Sequence, residues 1–255
     1  MKIVAIIPAR MASSRFPGKP MALIHGVPMI GHCFHRVRLC DELDDTYVAT
    51  CDTEIYNYIH SIGGQAIMTS TTHERASDRA AEAMLKIEKE TGQRIDILVM
   101  VQGDEPMDTP EMISEALRPI VEDEAINVVN LMGAIESVKE FEDPNTVKVV
   151  VDQDDNAIYF SREPIPSRKK GFDNVPMLKQ ICIIPFKRDY LLEFNRTPET
   201  TLEKIESVDM MRVIESGGNV KMVKTLGLSF GVDTEVDLQQ VEQAMIGDPL
   251  MTKYR

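Results

Sequence analysis

The chain has 255 residues, 43% of them hydrophobic and 27% charged, a balance that excludes a disordered or fibrous protein and suits an ordinary globular one. A formal net charge of −13 excludes non-specific nucleic-acid binding, which needs a basic face against phosphate, yet leaves room for a local cationic cluster. The four cysteines, Cys33, Cys40, Cys51 and Cys182, form no CxxC pair, so neither a zinc site nor a disulfide is expected.

The chain opens on an apolar run, Ile3 to Ile7, far too short to span a bilayer and followed by no cleavage-type region. It is expected to be a first β-strand, in a protein of the cytoplasm. Further short apolar runs, Tyr47 to Thr50, Ile97 to Val101 and Val128 to Met132, read as buried strands. Helical patterns lie between them at Met29 to Leu39, Glu54 to Ile62, Ala76 to Glu88 and Glu111 to Val121. Alternation of this kind predicts an α/β fold with a doubly wound, mostly parallel sheet. Beyond it, Val147 to Val151 and Ala157 to Phe160 flank the polar turn Asp152 to Asn156 as a hairpin does, so the sheet is expected to become mixed. An apolar run at Ile181 to Ile184 follows, then helices at Asp189 to Phe194 and Thr201 to Ile214, a strand at Val220 to Val223 and a last helix at Glu235 to Met245.

Three segments carry chemistry. The loop after the first strand, Pro8 to Pro20, concentrates Arg10, Arg15 and Lys19 among small residues. In an open parallel sheet, ligands sit beyond the carboxyl ends of the strands, so such a loop is placed to bind polyphosphate; the competing reading is a basic surface loop. It is neither GxGxxG nor GxxxxGK[ST]. Asp104, in Val101-Gln102-Gly103-Asp104-Glu105-Pro106, leaves a buried strand where a carboxylate can coordinate Mg²⁺, although the same residues also make a plain turn. Asp233, in Gly231-Val232-Asp233-Thr234-Glu235, offers a second carboxylate, but either Asp233 or Thr234 could cap the last helix. Together the three segments have the parts of a phosphate-plus-metal site.

In these stretches, and in Pro28-Met29-Ile30, VATCD, Gly63-Gly64, DPNTVKVVVD, IYFSR and GVDTEVDL, the chain resembles the 3-deoxy-manno-octulosonate (Kdo) cytidylyltransferases, also called CMP-Kdo synthetases, over nearly its whole length. The resemblance implies a nucleotide-diphospho-sugar transferase-like, Rossmann-type fold. It also implies a single domain, 1–255, with a small β-rich acceptor and dimerisation insertion at about 136–190. By the same resemblance, Arg10, Arg15 and Lys19 bind the triphosphate of CTP, with Pro8 and Ala9 near the base, and Arg79 binds the nucleotide as an arginine of the family's second nucleotide loop. Gln102 faces the sugar acid, Arg162 lies near the acidic substrate, and Asp104 and Asp233 hold Mg²⁺. Arg10, Lys19 and the two aspartates are the catalytic candidates.

The departures fall on the acceptor side. Gln180 stands where the family has a histidine, Cys182 and Pro185 stand in place of glycines, and the family's acid-amide pair is here Asp209-Met210. Gln180 and Asp209 are the remaining substrate-side candidates. Lost hydrogen-bond partners can change specificity by orders of magnitude. Three functions stay open: CMP transfer from CTP to Kdo or a close analogue by a homodimer, the same chemistry on a different acidic acceptor, and non-catalytic nucleotide binding.

Overall fold

The computed structural model describes residues 1–12, 16–171 and 174–255. Its contacts form two compact units, residues 1–114 with 227–255, and residues 115–226. The first contains β1 (Ile3–Ala9), the short pair β2 (Leu23–Ile24) and β3 (Val27–Pro28), α1 (Met29–Arg38), β4 (Asp45–Thr50), α2 (Thr53–Ser61), β5 (Gln65–Met68), α3 (Ala76–Thr91), β6 (Ile97–Val101) and the start of α4 (Pro110–Glu122). The second contains β7 (Val129–Ala134), α5 (Val138–Glu142), β8 (Lys148–Val151), β9 (Ala157–Ser161), β10 (Leu178–Ile181), β11 (Ile183–Lys187), α6 (Arg188–Arg196), α7 (Thr201–Glu206), α8 (Met210–Glu215) and β12 (Lys221–Lys224). The last helix, α9 (Glu235–Ala244), belongs to the first unit.

Every residue of β1 and β6 is buried. Continuous apolar runs of this length suit interior strands of a parallel sheet with both faces covered, where an alternating pattern would bury polar groups. The strands pair in parallel in the order β6-β1-β4-β5, with Ile3 opposite Ile97 and Ala9 opposite Thr50. From β1 the chain steps outward to β4 and β5, then returns to the other side of β1 for β6. That reversal opens a crevice beyond the carboxyl ends of β1 and β6. On α1, Ile30, Cys33, Phe34 and Val37 are buried at helical spacing, which gives the helix one apolar stripe.

The second unit has its own sheet, ordered β12-β7-β10-β8-β9. β12 runs parallel to β7 and the remaining pairs are antiparallel, so the expected mixed pairing is found here. β8 and β9 form the expected hairpin, with Asp155 in the left-handed region at φ 55°. Two expected elements are corrected. Residues 201–214 form two helices rather than one, because Ser207 adopts φ 52° and a left-handed residue interrupts the helical ladder. The run Ile181 to Ile184 divides at Cys182: Ile181 pairs with Leu131, whereas beyond the bend Phe186 bridges Val128.

Candidate active site

Three chain segments of the first unit meet at the crevice. β1 ends on Pro8-Ala9 and passes into Arg10 and Met11, whose carbonyl accepts from the Gly18 N–H at 3.1 Å. Gly18 sits at φ 75°, where a side chain would be strained, and turns the chain into a 3-10 turn that begins with Lys19. β6 ends on Gln102-Gly103-Asp104. A Cβ on Gly103 would lie 3.0 Å from both the Pro8 carbonyl oxygen and Ile30 Cδ1, so glycine lets this exit pass close beside β1. The third segment is anchored by Val232, fully buried with Ile24, Met29, Val241 and Met245, a burial that stabilises by roughly 1.5–3 kcal/mol. The Val232 N–H donates to the Asp104 carbonyl at 2.9 Å, which sets Asp233 next to Asp104.

Lys19 joins the three. Its Nζ donates to Asp104 Oδ2 at 2.6 Å and to the Val232 carbonyl at 2.7 Å, and lies 3.5 Å from Asp233 Oδ1. The two carboxylates thus address one cation. Helix capping does not compete for Asp233, since the Thr234 side chain accepts from Asp237 N–H and Asp237 closes the capping box. Among the described residues no group of three or more His, Cys, Asp and Glu side chains is arranged around a common metal position. Two hard carboxylates completed by phosphate oxygens are nonetheless a donor set that suits Mg²⁺, which retains water and seldom takes an all-protein cage.

A cleft of about 330 Å³ gathers most of the expected residues: Pro8, Ala9, Arg10, Lys19, Arg79, Gln102, Asp104 and Asp233 all line it. Arg15 lies outside the described residues. Arg79 is almost wholly buried, and its guanidinium donates to Thr69 Oγ1 at 2.5 Å and to the Ser70 and His73 carbonyls at 3.3 Å. It therefore braces the turn between β5 and α3. His73, which reads in the sequence as a structural or packing histidine, and Arg75 of that turn also line the cleft, and neither was among the site candidates. The signal was available, since the turn follows a strand of the same parallel sheet and carries dense charge. Glu82 holds it from below: burial raises the carboxyl, but Lys86, the Ser70 N–H and His73 outweigh this and bring it down to about 2.

The other candidates belong to the second unit. The Arg162 guanidinium donates to the carbonyls of Glu206 at 2.6 Å, Pro144 at 2.9 Å and Ser207 at 3.4 Å, so it ties a loop and a helix end together. Gln180 Nε2 donates to Asn130 Oδ1 at 2.6 Å. Asp209 takes the N-cap position of α8 without a side-chain capping bond.

The loop bearing Asp104 has a buried support. Arg36 donates through Nε to the Asp108 carbonyl at 2.8 Å and through a terminal nitrogen to the Met107 carbonyl at 3.1 Å. Ser229 Oγ lies 2.7 Å from Glu105 Oε2 and 2.9 Å from Asp108 Oδ1. One hydroxyl proton cannot serve both oxygens, so a proton on Asp108 completes the arrangement. Burial, reinforced by the charge of Glu105 and opposed by Ser229 and Arg36, pushes the Asp108 carboxyl well above its ordinary range. The folded protein then holds a proton that the unfolded chain releases above pH ~4, and stability falls as pH rises toward the raised value. Asp108→Asn removes this titration and keeps a donor. Its melting temperature is expected to gain on wild type as pH rises from ~4 toward the raised value, and a constant difference in a thermal-shift series would refute the buried proton.

Comparison with known proteins is consistent with this geometry. Residues 4–225 match the family model described as Cytidylyltransferase. The chain is 40% identical over 255 residues to 3-deoxy-manno-octulosonate cytidylyltransferase of Geobacter metallireducens, covering 96% of this chain and 98% of that one. It is 40% identical over 251 residues to the protein of the same name from Geotalea uraniireducens, covering 94% and 98%. A solved structure of CMP:2-keto-3-deoxy-manno-octonic acid synthetase complexed with CTP superposes with a TM-score of 0.88 at 37% identity, covering 97% of this chain and 100% of that chain.

Proposed function

The chain belongs to the cytidylyltransferase family, and from that premise we propose that it transfers CMP from CTP to a 2-keto sugar acid, Kdo or a close analogue, and releases pyrophosphate. The observation that carries this reading is the Lys19 ammonium shared by Asp104 and Asp233 in a cleft at the exits of β1 and β6. In the reaction, the anomeric oxygen of the acid attacks the α-phosphorus in line. The bond to the β-phosphate oxygen breaks as the new P–O bond forms, and the hydroxyl proton leaves to solvent. Arg10 and Lys19 supply positive charge to the triphosphate and to the departing pyrophosphate. Gln102, which lines the same cleft, is proposed to face the acceptor; Arg162, Gln180 and Asp209, in the second unit, are the other substrate-side candidates.

Asp104 and Asp233 are proposed to hold Mg²⁺, which when bound screens phosphate charge and lowers the pKa of the attacking hydroxyl. Positioning and electrostatics do the rest, without a covalent enzyme intermediate. The same reading makes the protein a cytoplasmic homodimer serving a bacterial surface polysaccharide. Among the described residues no helix is long and apolar enough to cross a membrane.

The test is pyrophosphate release with CTP, Mg²⁺ and a panel of 2-keto sugar acids. Turnover with Kdo or a near relative is expected. Turnover confined to some other acid favours the second reading, and tight CTP binding with no release from any acid favours a binding protein.

A further inference from the structure

Asp52 follows β4 at the crevice end of the parallel sheet and occupies the N-cap of α2. Aspartate at that position ordinarily turns its carboxylate onto the free N–H groups of the first helical turn. Here it makes no capping bond. Its Oδ2 accepts instead from the Met11 N–H, 2.8 Å away. The Asp52 N–H donates to Thr50 Oγ1 at 3.1 Å and the Cys51 thiol points at the same Oδ2 from 3.6 Å, so the carboxylate is held in this direction.

Met11 is therefore gripped from both sides, through its N–H by Asp52 and through its carbonyl by the Gly18 N–H at 3.1 Å. Arg10 and Lys19 are the immediate neighbours of Met11 and Gly18, on the outer side of that grip. The bond from Asp52 fixes where the chain leaves β1, and the bond from Gly18 carries that position on to Lys19. A serine or threonine would cap α2 as well without placing a negative charge beside a cationic loop. The aspartate is explained by its reach to Met11.

We propose that Asp52 is a positioning residue for the nucleotide: by holding the Met11 N–H it sets Arg10 and Lys19 in the register that receives the triphosphate. This rests on the reading of the loop as the triphosphate site. The test uses the full chain, CTP titration calorimetry, steady-state kinetics and exchange of the Met11 amide, on Asp52→Ser, Asp52→Asn and Arg10→Ala.

Serine can cap α2 through its hydroxyl, a bond Asp52 does not make, but is too short to hold Met11. Asp52→Ser is expected to keep the wild-type melting temperature, to raise Kd and KM for CTP about tenfold with kcat little changed, and to expose the Met11 amide to exchange. Asp52→Asn retains an acceptor oxygen and is expected to restore both affinity and protection. If Arg10→Ala weakens CTP while Asp52→Ser binds it normally, the role of Asp52 is overturned and the loop reading stands. A loss in Asp52→Ser that merely tracks a fall in melting temperature also overturns it. If Arg10→Ala itself leaves CTP affinity unchanged, the loop reading is what fails.

Discussion

Asparagine in place of Asp104 or of Asp233 is expected to lower kcat by about 10²–10³-fold while the fold persists. The substitution keeps the shape of the side chain and removes its charge. Both carboxylates are partly open to solvent, with side chains 34% and 28% exposed, so their pairing with Lys19 adds little to stability. Melting temperatures close to wild type are expected. Their value is electrostatic and local: the charge they contribute is presented to whatever cation and phosphates the cleft receives.

Because the two groups address a single cation, their losses are not independent. The double variant is expected to be about as slow as the worse single variant, since removing either partner already dismantles the unit. Pyrophosphate release at saturating CTP, measured over a Mg²⁺ titration, checks both points. Each single variant is expected to need more Mg²⁺ for half-maximal rate. A wild-type rate in either variant, or losses that multiply in the double, would remove these residues from a shared metal site.

For stability the largest effect is expected at Arg212→Leu, about 3–5 kcal/mol of destabilisation. Arg212 and Glu203 are 4% and 0% exposed. Arg212 grips the carboxylate with two nitrogens, at 2.8 Å to Oε2 and 2.6 Å to Oε1, and a terminal nitrogen also donates to the Phe194 and Thr197 carbonyls at 3.0 and 3.1 Å. The guanidinium lies 4.3 Å over the Phe194 ring. One residue thereby fastens α6, α7 and α8 together. Leucine fills part of the space but leaves the Glu203 charge buried without its cation, and the desolvation of that carboxylate is no longer offset.

Arg212→Leu combined with Glu203→Leu removes both charges and is expected to recover much of the loss. Glu203 also accepts from the Thr200 N–H in the capping box of α7, so recovery is incomplete. Urea unfolding of the two variants decides the matter. A single variant within about 1 kcal/mol of wild type would show that the buried pair contributes little.

What could be read from the chain follows physical distance along it. β1 and β6 are legible as continuous apolar runs because burial on both faces leaves no other composition open to them. Arg10 and Asp104 are legible as crevice residues because they follow the ends of β1 and β6 in a parallel sheet, whereas Lys19 and Asp233 reach the cleft through a 3-10 turn and an irregular segment. The hairpin of β8 and β9 is legible from its polar turn. By contrast, periodicity carries 201–214 as one helix and cannot see the left-handed Ser207, a single dihedral that costs the pattern nothing.

The sequence by itself determined the fold class, through composition and periodicity, and the family, through the resemblance of its ordered motifs to the Kdo cytidylyltransferases. Only the tertiary structure decided who holds whom. It gave the capping of α9 to Thr234 and released Asp233 to Lys19. It placed Asp52 on Met11 rather than on its own helix, joined Asp108 to Glu105 through Ser229, and committed the guanidinium of Arg162 to backbone carbonyls and that of Arg79 to the Thr69 hydroxyl and two carbonyls. Each is a hydrogen bond or ion pair whose direction is set by neighbours in space. A carboxylate or guanidinium reads the same in sequence whether it faces a ligand, a helix end or a distant loop.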